Sequence, residues 1–224
     1  HVYAYAQLAG AGEEVLVSVP SGNFGDALGC EYARRMGLPV AKLMMPTNEN
    51  DEFPVFLETG KYQKVSPSRA CISNAMNVGH PSNLARFFEL YGGTVDRSGR
   101  VHRYPDLDQM RHRIFSVSVS DGETRQTIKS VYERYRVVLE QHGAVGWAGL
   151  TAYQKKTGDT RLAICLETAH PAKFPDEIKD LLGIDPEPPE SMKDLARREG
   201  SAINLSGDFA SFKTYLQAHL KIKK

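Results

Sequence analysis

At 224 residues, 41% hydrophobic and 25% charged, with a formal charge of +1, the chain can bury a sizeable core and has no global electrostatic pull toward nucleic acid or an anionic membrane. Its only basic run, Lys221, Lys223 and Lys224, reads as a solvated tail, and no apolar run approaches the ~18 residues of a membrane span. Three cysteines, Cys30, Cys71 and Cys165, lack C-x-x-C spacing, which argues against a disulfide framework or a zinc site and for a reducing, cytoplasmic setting.

Val2, Tyr3, Tyr5, Ala6, Leu8 and Ala9 have the spacing of the last turns of an amphipathic helix, stopped by Gly10 and Gly12. A start on His1 in such a pattern suggests a piece of a longer protein. Val15, Leu16, Val17 and Val19 then predict a buried strand, and Ser21-Gly22-Asn23-Phe24-Gly25 turns it into a helix from about Ala27 to Met36. That arrangement suits an anion. The first N–H groups of a helix have no intrahelical partner, the helix dipole favours negative charge there, and glycines let the backbone close on an oxyanion. An ordinary strand-to-helix connection without ligand is the plain alternative, and geometry leaves both open. The turn is neither G-x-G-x-x-G nor G-x-x-x-x-G-K-[ST], so it lacks the usual marks of a nucleotide site.

A second strand is expected over 39–45 and a short helix over 52–58, with Asp51 as its cap and Pro54 in its first turn. Ser73, Asn74 and Asn77 sit in a stretch of small and polar residues that offers uncharged donors to a ligand or simple turn chemistry. Helices are expected over 81–90, 106–113 and 121–141, the last capped by Asp121 and broken at His142-Gly143, with a loop or hairpin over 94–104 and an alternating strand over 115–119. A helix over 144–155 is dense in small residues, which calls for close approach by a neighbour or a ligand. The strand 162–166 ends just before Thr168 and a helix over 173–182. Ligands of open α/β sheets gather at the carboxyl ends of strands, so Thr168 and the glycine turn could face one crevice. Beyond Gly183, a proline-rich link over 185–190 leads to expected helices over 191–198 and 209–220. The pattern predicts an α/β fold, an open twisted sheet with flanking helices, followed by a helical arm over 184–224.

H-E-x-x-H and G-x-S-x-G are absent, and His1, His80, His102, His112, His142, His170 and His219 show no ligand spacing. The blocks of residues go further than the physics. Ser21 to Gly25 after a valine-rich strand, Thr47-Asn48-Glu49-Asn50-Asp51, Ser73 to Val78, Pro81-Ser82-Asn83, Asp121-Gly122-Glu123-Thr124, His142-Gly143-Ala144-Val145 and Thr168 to Phe174 resemble, in order, the threonine synthases. These are members of the tryptophan-synthase-like, fold type II enzymes that use pyridoxal 5'-phosphate (PLP), with a three-layer fold. The resemblance covers residues 1 to about 183 and implies the C-terminal part of the catalytic domain.

The resemblance implies roles. The backbone of Gly22, Asn23, Phe24 and Gly25, with Asp26 at the helix start, would hold the cofactor phosphate, and Thr168 would set its hydroxyl against the pyridine nitrogen. A helix cap is the other reading of Thr168. Ser73, Asn74 and Asn77 would face the substrate, although the family often has Asp at the place of Asn77. The family's cofactor-bearing lysine lies in a Ser-x-Lys-Asp segment of the N-terminal half, and Lys42, Lys61, Lys129 and Lys173 are in no such context. The implied partners are O-phospho-L-homoserine and the N-terminal half of the same enzyme, with neither nucleic acid nor membrane. The whole enzyme would make L-threonine and phosphate from that substrate and water, and this chain alone would be inactive. A related phospho-lyase releasing a keto acid, a non-catalytic PLP- or anion-binding module and a nucleotide-binding domain are the alternatives.

Overall fold

The computed structural model describes residues 1–193 and 195–220. The basic tail at Lys221, Lys223 and Lys224 lies outside the described residues, as does Asp194 of the expected helix 191–198. The chain divides into two units, His1–Glu187 and Pro188–Lys224.

In the first unit, helix α1 (Val2–Leu8) precedes strand β1 (Val15–Ser18), α2 (Gly25–Arg35), β2 (Val40–Met44) and α3 (Glu52–Thr59). A 3-10 turn at Asn74–Met76, α4 (Leu84–Leu90), the hairpin strands β3 (Thr94–Val95) and β4 (Val101–Arg103), α5 (Leu107–Arg113) and β5 (Ile114–Phe115) follow. The unit closes with α6 (Asp121–Tyr135), α7 (Gln141–Thr157), β6 (Ala163–Cys165), a 3-10 turn at Pro171–Lys173 and α8 (Pro175–Leu182). The main sheet is parallel throughout, in the order β5-β2-β1-β6.

β1 is the centre of the molecule, and its sequence explains why. Val15, Val17 and Val19 pack into the large core with α2, α3 and α4, whereas Leu16 faces Met44, Leu150 and Tyr153 on the other side of the sheet. A strand buried on both faces has no need of alternation, and Val15, Leu16, Val17 and Val19 are all within 2% of full burial. The result is three layers. The small residues of α7 serve packing: a Cβ on Gly149 would lie 2.5 Å from Pro46, and one on Gly146 3.2 Å from both Pro20 Cδ and Cys165 Sγ. Ser18 Oγ, fully buried, donates to the Gly146 carbonyl at 2.7 Å and ties the same helix to β1.

Several local expectations shift. The helix after Ser120 ends at Tyr135, because Arg136 turns into the left-handed region at φ 58°, so His142 and Gly143 lie in the first turn of α7 instead of breaking a helix. Its cap is Ser120, in a capping box with Glu123; the Asp121 carboxylate instead accepts from the Ile72 N–H at 3.1 Å. Asp51 stands at the N-cap of α3, yet its carboxylate makes no cap hydrogen bond and reaches Arg69 at 3.2 Å. α4 starts at Leu84, with Pro81 in the preceding turn. Of the expected strand over 115–119 only Phe115 is regular, at the end of β5, and beyond it the chain keeps a single parallel bridge, Thr47 to Ser118.

The second unit holds 3-10 turns at Glu190–Met192 and Leu195–Arg197, where one helix was expected, and α9 (Phe209–His219). Asp208 caps α9 by accepting from the Ser211 N–H at 2.9 Å. Among the described residues no helix is long and apolar enough to cross a membrane.

Candidate functional site

The connection from β1 to β2 runs one way across the sheet and the later entry of β6 lies on the other side of β1, so the topology switches between β1 and β6. An open α/β sheet forms its crevice outside the carboxyl ends of the strands at such a point. Ser18 pairs with Cys165 in register, which places Ser21 and Thr168 each three residues beyond paired strand positions.

The glycine turn is built to present N–H groups. Phe24 adopts φ 67° and ψ 12°, a left-handed conformation that a bulky aromatic residue avoids at a cost of roughly 1 kcal/mol. Its ring, 2% exposed, compensates by packing edge-on against Phe53 at 4.9 Å and Phe87 at 6.0 Å between centroids. The aromatic side chain thus anchors a backbone shape that glycine alone would leave loose. Among the described residues, the N–H groups of Gly22, Asn23, Phe24 and Asp26 have no acceptor, while that of Gly25 is taken by the turn's own Asn23 Oδ1 at 2.8 Å. A run of such groups at a helix start suits an anion, and Asn23 Oδ1 accepts from the Gly25 N–H as an oxyanion could.

Asp26 contributes through its backbone. Its carboxylate turns to His1 Nε2 at 2.9 Å, and this hydrogen bond pushes the His1 imidazole up to about 10, well above its usual 6.5. The pairing matches the carboxylate's negative charge with the His1 ring.

The structure brings Ser73, Asn74 and Asn77 beside this turn. A Cβ on Gly22 would lie 2.9 Å from both the Ala75 carbonyl and Met76 Cα, so the two segments touch backbone to backbone. The three side chains differ in freedom. Asn74 is exposed, and while its backbone N–H donates to the Ile72 carbonyl, its side-chain amide has no partner among the described residues. Ser73 is buried, and its Oγ accepts from Asn48 Nδ2 at 3.1 Å. Asn77 is engaged at both ends: Oδ1 accepts from Asn48 Nδ2 at 2.9 Å and from the Cys71 N–H at 3.1 Å, and Nδ2 donates to the Cys71 carbonyl at 3.3 Å. That engagement makes Asn77 a brace of the turn. Asn48 and Asn50, both 1% exposed, extend the network to Arg69.

Thr168 is exposed and its hydroxyl has no partner among the described residues. The cap of the following 3-10 turn is His170, whose Nδ1 accepts from the Ala172 N–H at 3.2 Å. The capping alternative for Thr168 is therefore taken by another residue.

Sequence reasoning passed over a third cluster, at the start of α7. Glu140, fully buried, caps the helix by accepting from the N–H groups of His142 at 2.9 Å and Gly143 at 2.8 Å. His142 Nδ1 makes a short contact with Glu140 Oε2. Glu167 tucks its carboxyl into the space left by the missing side chain of Gly143 and accepts from the Glu140 N–H at 3.0 Å. Burial of that carboxyl, reinforced by the Glu140 carboxylate, pushes it up to about 8, although the residue as a whole is exposed. No local spacing signals this cluster, because its members meet through the helix end and a strand end.

Lys42 donates to the carbonyls of Arg111 at 2.9 Å and His112 at 2.8 Å at the end of α5, far in role from the crevice, and burial lowers its ammonium from the ordinary value. Among the described residues no group of three His, Cys, Asp or Glu is placed to hold a metal ion.

Comparison with known proteins adds a second line. A family model described as "Threonine synthase, C-terminal" matches residues 143–216. The chain is 34% identical to threonine synthase of Methylobacillus glycogenes over 96% of this chain and 48% of that protein. It is also 34% identical to that of Haemophilus influenzae over 91% of this chain and 44% of that protein. It thus spans about half the length of the curated relatives it matches. The crystal structure of PLP-bound threonine synthase from Brucella melitensis is similar with a TM-score of 0.81 at 29% identity, covering 97% of this chain and 48% of that one. The Escherichia coli structure gives 0.74 at 31%, covering 92% and 44%.

Proposed function

This chain belongs to the threonine synthase family, with the fold type II architecture of PLP enzymes, and from that premise we propose that the protein containing it converts O-phospho-L-homoserine and water to L-threonine and phosphate using PLP. One observation carries the reading: N–H groups at Gly22, Asn23, Phe24 and Asp26 without an acceptor among the described residues stand at the switch point, with the Thr168 hydroxyl, likewise without a partner among them, at the neighbouring strand end.

The residues present fit the cofactor. The N–H groups of the turn would hold its phosphate, with Asn23 Oδ1 releasing the Gly25 N–H to it. When bound, PLP supplies the electron sink for breaking bonds at the substrate carbons, and that chemistry is its own. Thr168 would meet the pyridine nitrogen with a neutral hydroxyl, which does not enforce a fully protonated ring. Asn74 and Ser73 would give the substrate uncharged donors, and Asn77 would keep their turn in shape. The lysine that holds PLP covalently is assigned to the N-terminal half of the same enzyme, since Lys42 is committed to α5 and neither Lys61, Lys129 nor Lys173 has the family's context. The three free thiols suit a reducing cytoplasm.

The test is an assay of the full-length protein loaded with PLP. Threonine and phosphate should form in equal amounts from O-phospho-L-homoserine, and the 224-residue chain alone should form none. Release of 2-oxobutyrate in place of threonine would make the protein a phospho-lyase, and failure to take up PLP would leave a non-catalytic module.

A further inference from the structure

His142 has no part in the function proposed above, yet its ring closes the gap between three segments of the site. Nε2 accepts from the Ala75 N–H at 3.2 Å. An imidazole nitrogen that accepts carries no proton, so the ring proton is on Nδ1, directed at Glu140 Oε2. Glu140 is itself held by two helix N–H groups and is fully buried, so the dyad rests on a fixed carboxylate. On its far side the ring packs against Phe174, 5.4 Å between centroids, at the end of the segment that begins with Thr168.

The other end of this chain of contacts is the glycine turn. The Ala75 carbonyl and Met76 Cα lie against Gly22, so the 3-10 turn Asn74–Met76 is gripped between Gly22 on one side and His142 on the other. The helix cap does not need the imidazole, because Glu140 already satisfies the orphan N–H groups of His142 and Gly143. What the imidazole adds is a buried acceptor for an N–H of the turn, which nothing else among the described residues supplies.

We propose that His142 is a positioning residue: in its neutral form, protonated on Nδ1 and held by Glu140, it fixes the Ala75 amide and so sets where Ser73 and Asn74 stand relative to the phosphate-binding turn. The effect on catalysis rests on the function proposed above; the contact itself does not.

Two substitutions separate the roles of the two ring nitrogens. H142N keeps a donor near Nδ1 for Glu140 but places nothing near Ala75, whereas H142Q sets an amide oxygen near the position of Nε2. The full-length, PLP-loaded protein is compared by hydrogen exchange over residues 72–78 and by steady-state kinetics with O-phospho-L-homoserine. In H142N the Ala75 amide is expected to exchange about tenfold faster and KM to rise about tenfold, with kcat changed less than about threefold and the visible spectrum of bound PLP retained. H142Q is expected to restore both quantities to within about threefold of the parent. If H142N fails to fold, H142M fills the ring's volume without an acceptor for Ala75 and carries the same expectation. Unchanged exchange at Ala75, equal effects of the Asn and Gln variants, or faster exchange with no change in KM would overturn the proposal. A parent enzyme that forms no threonine would overturn the proposed function instead, and the exchange comparison, which needs no turnover, would still decide whether His142 holds the turn.

Discussion

The two walls of the candidate crevice are made in opposite ways. The turn at Ser21–Gly25 takes its shape from neighbours in sequence: β1 delivers it, α2 receives it, and its one strained residue, Phe24, is fastened by its own ring. The turn at Ser73–Asn77 has little regular structure of its own and is held from a distance, by Asn48, by Asp121 and by His142, which are 25, 49 and 67 residues from their partners. A locally made wall should tolerate changes elsewhere and fail when its own residues change. A remotely held wall should be adjustable from several places.

That contrast can be broken most forcefully at Phe24. Phe24→Ala removes a buried ring and leaves a left-handed residue without its anchor, and a loss of about 3–5 kcal/mol in urea unfolding is expected. A loss below about 1 kcal/mol would show that the turn does not depend on the ring. Gly22→Ala strikes the seam between the walls, since its Cβ would meet backbone atoms at 2.9 Å. PLP affinity, followed by its visible absorbance, should fall about 100-fold, because backbone cannot move aside as a flexible side chain does.

A buried carboxyl group at the start of α3 offers a test through pH. Glu52 is 3% exposed, neither carboxyl oxygen has a hydrogen-bond partner among the described residues, and burial pushes it up to about 7 from its usual 4.5. The unfolded chain releases this proton near 4.5 and the folded chain only near 7, so the contribution is fully present below 4.5, declines as pH rises between the two values and is gone above 7. Glu52→Gln should therefore match the parent at pH 4.5 and exceed it by about 2–3 kcal/mol at pH 8. Equal stability at both pH values would mean that Glu52 finds a partner or water when ionised.

Smaller effects sharpen the comparison. Thr168→Ala should lower kcat of the full-length enzyme about tenfold while leaving stability within about 0.5 kcal/mol, because the residue is exposed and its hydroxyl has no partner among the described residues. Asn77→Asp keeps the acceptor for Asn48 and for the Cys71 N–H but loses the donor to the Cys71 carbonyl, so a destabilisation of about 1 kcal/mol is expected, and none would show that this 3.3 Å contact is idle.

Much of the first wall was legible in the residues. A valine-rich run followed by Ser-Gly-Asn-Phe-Gly already implies a buried strand, a tight turn and a helix start, because burial, glycine and unpaired N–H groups act over a few positions. The helix boundaries were less legible. Arg136 in a left-handed conformation ends α6 seven residues before Gly143, the glycine that looked like the break, and Glu140 caps α7 although glutamate is an uncommon cap. Asp51 stands at the N-cap of α3 and Asp121 is the first residue of α6, just after its cap Ser120, yet their carboxylates serve Arg69 and Ile72, partners distant in sequence.

From residue order alone came the α/β class, a strand-to-helix turn of a kind that suits an anion, the place of Thr168 just beyond a strand and the family. Those features depend on local conformation and on blocks of residues that keep their order. The tertiary structure decided that β1 and β6 are neighbours, that Gly22 meets the turn at Ala75 backbone to backbone, and that Asn77 braces the turn and His142 grips it. Hydrogen bonds across dozens of residues leave no periodic trace in a chain, so a buried histidine remains anonymous until folding supplies its partners.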